Sequence, residues 1–62
     1  MKNIESHKKA AKHLEEAAKH HREAVQHIEE GNPDKAHYSL LKAIENTASA
    51  SEIQEEHLKA MI

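Results

Sequence analysis

The single Gly and the single Pro of this 62-residue chain stand two positions apart, Gly31 and Pro33, at its midpoint. Any helix entering this point must stop. Gly takes the left-handed conformation that closes a helix, and Pro, which cannot extend the helix before it, suits the first position of the next. Asn32 is the natural N-cap, and Asp34 in the new first turn complements the helix dipole. From about residue 3 to 30 Ala, Glu and Lys dominate and apolar residues recur at intervals of three and four. That pattern predicts one helix, the turn follows at 31–33, and the same reasoning predicts a second helix over about 34–61. The expected fold is a single all-α domain, an antiparallel two-helix hairpin.

With Ile4 at heptad position a, the first helix carries Ile4, Ala11, Ala18 and Val25 at a, His7, Leu14, His21 and Ile28 at d, and Ala10, Ala17 and Ala24 at g. The stripe is wide and lined with small side chains, as where two helices approach closely. The second helix aligns His37, Leu41, Ile44, Ala48, Ser51, Leu58 and Ile62 on one line and Ala36, Leu40, Ala43, Ala50, His57 and Met61 on the next. Ser51 with Gln54 forms a possible capping box that would start a third helix, but charge registration favours a continuous second one. In a hairpin turning near residue 32, positions whose numbers sum to about 64 oppose each other, which sets Lys8, Lys9 and Lys12 against Glu52, Glu55 and Glu56.

A chain this short buries a small share of its surface and usually needs added stabilisation. Ten of its apolar residues are Ala, and with no Cys there is neither a disulfide nor a thiolate metal site. Pairing with a second copy into a four-helix bundle is the expected remedy, and the function that follows is that of a small self-associating interaction or scaffold protein. The mixed charges sum to -2 without a basic stripe, and Tyr38 is the one aromatic ring among Phe, Trp and Tyr, so a nucleic-acid interface is not expected. The polar face alternates Lys with Glu, unlike a membrane-surface helix, and no run reaches the roughly 20 apolar residues of a membrane span. A cytoplasmic, non-catalytic protein is expected, since no nucleophile elbow or catalytic constellation is present and Ser39, Ser49 and Ser51 lack such a context.

Seven histidines are the chemical signal. His13, His20 and His27 repeat every seven residues, with Glu16, Glu23 and Glu30 three residues after each, which predicts a ladder of imidazole and carboxylate along one helix edge. Hairpin arithmetic opposes His27 to His37 and His7 to His57, each pair summing to 64. The candidate metal ligands are therefore His27, His37, Glu23, His7, His57 and His20, for Zn²⁺ or another divalent transition metal such as Ni, Cu or Fe; no cofactor is required by the fold. No two histidines lie three or four apart in one helix, so the strongest helical chelate is absent, and boundary packing on alanines is the competing role. A third reading is a pH-responsive bundle. Seven added protons would take the formal charge from -2 to +5, and with His7 and His21 in the core the bundle would loosen below a pH of about 6.5.

The run Ala10-Ala11-Lys12-His13-Leu14-Glu15-Glu16-Ala17-Ala18-Lys19-His20-His21-Arg22-Glu23-Ala24, with Gly31-Asn32-Pro33-Asp34-Lys35-Ala36-His37, resembles a group of small His- and Ala-rich bacterial hairpin proteins. The resemblance covers about residues 10–48 and implies a helical hairpin without implying an activity. Leu14, Ile28, Leu40 and Leu41 stand where that group often has His or Ala, a departure that favours packing over metal loading. The turn and second helix also resemble part of a tetratricopeptide unit, but the 34-residue period does not recur.

Overall fold

The computed structural model describes residues 2–60. Two helices, α1 (Lys2–Glu29) and α2 (Pro33–Ala60), are 28 residues each and pack against one another along their length as an antiparallel hairpin. Its Cα atoms extend over 48 × 15 × 10 Å. Among the described residues no helix is long and apolar enough to cross a membrane. The apolar positions Met1, Met61 and Ile62 lie outside the described residues.

The turn is built from local interactions. Gly31 has φ +74°, the amide of Asn32 donates to the carbonyl of His27 (2.8 Å), and the amide of Gly31 donates to that of Ile28 (3.0 Å). These two bonds satisfy carbonyls that the end of α1 would otherwise leave unpaired. The amide of Ala36 donates to the carbonyl of Asn32 (3.2 Å), so α2 begins as soon as α1 has been closed.

Helix α2 runs unbroken through Thr47–Ser51, and the capping box starts no third helix. Thr47 Oγ1 donates to the carbonyl of Ala43 (2.9 Å) and Asn46 Nδ2 to that of Lys42 (3.0 Å). Thr47 and its neighbour Asn46 thus turn their polar groups back onto the helix, four residues upstream.

The seam between the helices is made of small residues. Ala10 and Ala17 of α1 meet Ala36, Ser39, Ala43 and Ala50 of α2, all buried, with Ala43 at 0% exposure. Half-buried Ser6, His13, His20, Ala24 and His27 complete the α1 side, and Asn46, Ile53 and His57 complete the α2 side. In heptad terms α1 packs through its g line and through the line of Ser6, His13, His20 and His27, not through a and d. This corrects the expectation that His7 and His21 occupy the core: both are exposed, as are Leu14, Ile28, Leu40 and Ile44. Packing through alanine brings the helix backbones close, and the larger side chains fall on the flank of the seam.

The charge registration is also corrected. All ion pairs among the described residues are local, three residues apart: His20 with Glu23, His27 with Glu30, and Lys42 with Glu45. Lys8, Lys9 and Lys12 do not pair with Glu52, Glu55 or Glu56; all six are exposed, where ordering two long side chains costs about as much as the pair returns.

Candidate functional site

The heptad of α1 sets His13, His20 and His27 along one edge of the seam, but each meets a different partner. His13 Nδ1 lies 3.0 Å from Oδ1 of Asn46 on the opposite helix. Because the Asn46 amide nitrogen is committed to the Lys42 carbonyl, its oxygen is the acceptor, and the His13 proton sits on Nδ1. His20 Nδ1 donates to Glu23 Oε1 at 2.7 Å, and His27 Nδ1 to Glu30 Oε1 at 3.4 Å. The imidazole–carboxylate ladder thus takes the three-residue step, and at His13 a cross-helix amide replaces its expected carboxylate, Glu16.

The opposed histidine pairs divide. His7 and His57 come together, with ring centroids 4.9 Å apart and planes at 60°. They stand beside an apolar cleft of about 330 Å³ near the open end of the hairpin, lined also by Ser6, Ala10, Ile53, Gln54 and Leu58. His37 lines a second shallow cleft at the turn end, of about 370 Å³, with Ala24, Ile28, Pro33, Ala36 and Leu40. His27 is not in that lining; its ring faces Glu30 on its own helix. Glu23 is held by His20. Among the six candidate ligands the structure brings His7 to His57 and His20 to Glu23, while His27 lies against Glu30 and His37 lines the cleft at the turn. Among the described residues no group of three or more His, Asp or Glu side chains is positioned around one point.

Both clefts have the same make-up. Each joins d-line residues of α1 (His7 in one, Ile28 in the other) to one flank of α2 (Gln54 and Leu58, or His37 and Leu40). Leu14 shares the d line between them, and Ile44 shares the α2 flank. The hairpin thus has one broad side on which Leu14, Ile28, Leu40, Ile44 and Leu58 gather while remaining open, with Ile28 at 66% and Ile44 at 53% exposure. The other flank of the seam carries Glu16, Glu23, Lys42 and Ser49.

No known protein family, curated protein or solved structure matches this chain.

Sequence reasoning missed Asn46, the residue that ties the helices across the seam. Ala36, Ala43 and Ala50 repeat every seven, and so do Ser39, Asn46 and Ile53 three residues after them. Extending the alanine line by its heptad partner would have found it.

Proposed function

We propose that this protein is a small self-associating helical scaffold, in which two hairpins dock through their aliphatic sides to form a four-helix bundle. The observation that carries the reading is the mismatch between what the seam buries and what it leaves open. Inside are methyl groups worth about 0.8 kcal/mol each; outside are Leu14, Ile28, Leu40, Ile44 and Leu58, each worth about 1.5–3 kcal/mol on full burial. A side that exposes this many large aliphatic groups, with His7, His37 and Gln54 among them, supports reading it as an association surface. The broad face that carries it extends 48 × 15 Å between Cα atoms, room enough for an interface of the roughly 800 Å² per partner that stable association uses. A second copy matches it in length and character along its whole extent.

The protein acts through this surface and not through catalysis or nucleic-acid binding. Both clefts are shallow and mainly apolar, and the charges are mixed instead of gathered in a basic stripe. Its setting in this reading is the cytoplasm, where a chain without cysteine needs no oxidising environment for stability.

Sedimentation equilibrium of the wild type and Ile44→Glu tests the reading. The wild type should sediment at twice the 7.0 kDa chain mass at micromolar concentration, and the variant at the chain mass. A folded wild type that stays at 7.0 kDa up to millimolar concentration would exclude the bundle.

A further inference from the structure

We propose that His7 and His57 form a two-imidazole site for a divalent transition-metal ion, Cu²⁺, Ni²⁺ or Zn²⁺, which clips the open end of the hairpin. The two side chains come from different helices, fifty positions apart, and meet at a ring separation of 4.9 Å. That distance has a metric meaning. A metal–imidazole bond of about 2.0–2.1 Å puts the ring centre roughly 3.2 Å from the ion, so two imidazoles subtending 90–110° have centres about 4.5–5.2 Å apart. The observed pair falls inside this window. Its 60° interplanar angle is no obstacle, because each imidazole ligand turns about its own metal–nitrogen bond.

The surroundings favour the same class of ion. The cleft lining contains no carboxylate and no Lys or Arg, so two imidazoles are its strongest donors, with the Ser6 hydroxyl and Gln54 amide beside them. Nitrogen donors without carboxylate select Cu²⁺, Ni²⁺ and Zn²⁺ over Mg²⁺ and Ca²⁺. Ala10, Ile53 and Leu58 give the site an apolar wall, and water supplies the remaining coordination positions. Among the described residues neither ring is hydrogen-bonded to protein, so no existing bond must break for an ion to enter. Among the described residues no second imidazole lies against His13, His20, His21, His27 or His37.

An ion held by residues 7 and 57 joins the start of α1 to the end of α2, where the hairpin has no covalent connection. Binding therefore favours the folded state over the unfolded one. Both ligands belong to one hairpin, so the site does not need a second copy to be complete, but its cleft opens on the aliphatic side through which the proposed self-association takes place.

The test is titration of ZnCl₂, NiCl₂ and CuCl₂ into metal-free protein, followed by calorimetry, by thermal melting and, for Zn²⁺, by NMR of the histidine ring signals. One ion per chain should bind, the His7 and His57 signals should shift together at the first equivalent, and the melting midpoint should rise by several degrees. His57→Gln and His7→Gln should each weaken binding at least tenfold and remove the rise, whereas His27→Gln and His37→Gln should change neither. Ile44→Glu, which leaves the cleft residues unchanged, should still bind one ion per chain through His7 and His57. Equal binding by wild type and His57→Gln would overturn the site. If the glutamine variants fail to fold, a first equivalent of Zn²⁺ that leaves the wild-type His7 and His57 signals unmoved overturns it instead.

Discussion

His13 Nδ1 and Asn46 Oδ1, 3.0 Å apart, form the one side-chain hydrogen bond that crosses between the helices among the described residues. It occupies the middle of a seam whose buried residues are mostly alanine, and Asn46 is held for the task by its own bond to the Lys42 carbonyl. A seam of alanines on both sides offers little to distinguish one heptad register from another, because a seven-residue slide places Ala against Ala again. The same slide brings His20 to Asn46 in place of His13, so the pair adds a directed contact across the seam while the short turn at Gly31 and Asn32 fixes the register. Asn46→Ala should lower stability by about 1 kcal/mol, the usual worth of one hydrogen bond. His13→Ala in the same background should then cost much less than it does alone. Urea unfolding followed by circular dichroism across the four-member cycle measures the coupling, and strictly additive effects would show that the pair contributes none.

Gly31 is the residue whose backbone no other side chain can easily replace. At φ +74° an added Cβ meets no atom within 4 Å, so the cost of Gly31→Ala is that of the left-handed backbone alone, about 1 kcal/mol. Gly31→Asn should cost less, since Asn tolerates that conformation better. Thermal melting of the two variants should show the ranking Gly, Asn, Ala; an alanine variant as stable as the wild type would mean that the turn re-forms with another geometry.

Ala43 has no exposed surface and faces α1 midway along α2. A larger side chain there must push the helices apart along the whole seam. Ala43→Leu is expected to destabilise by about 1–3 kcal/mol despite its greater hydrophobicity. Ala48→Leu, at an exposed position of the same helix, should be near neutral. Chemical denaturation of both variants separates close packing from hydrophobicity: equal effects would argue that the alanine seam has no steric role.

Self-association ties stability to concentration. If two copies cover each other's aliphatic sides, the melting midpoint rises with protein concentration, because the folded state is the associated one. Leu40→Ala should lower that midpoint and flatten the dependence, Leu40 lying beside Ile28 in the cleft at the turn. A midpoint independent of concentration over two orders of magnitude would contradict the bundle.

The histidines show how far pattern reading carries a site. Opposition of His7 and His57 follows from counting residues away from the turn, because an antiparallel pair of straight helices keeps its register by rise per residue alone. The same count sets His27 against His37, for which the structure gives each residue its own surroundings. Opposition along the axis says nothing of rotation about it: His27 sits on the seam edge beside Glu30, while His37 lies among Ile28 and Leu40 on the aliphatic side. The charge pairs expected near the open end met a different limit, since exposed Lys and Glu side chains gain too little from each other to be held in contact.

The two helices, their lengths and the turn between them were determined by the sequence itself, because each depends on neighbours within five or six residues: Gly31 reversing its backbone, the amides of Gly31 and Asn32 closing the carbonyls of Ile28 and His27, and Ala, Glu and Lys sustaining the turns on either side. Which stripe of α1 would face α2 was not determined in this way. Its apolar band spans a, d and g, wide enough to support two seams, one of large side chains and one of alanines. Only the packed hairpin decided between them, since the short connection through Gly31 and Asn32 fixes how α2 leaves α1, and the alanine line allows the closer approach of the two backbones. That choice buried Ala43 and exposed Ile44, and so set the large aliphatic side chains facing outward.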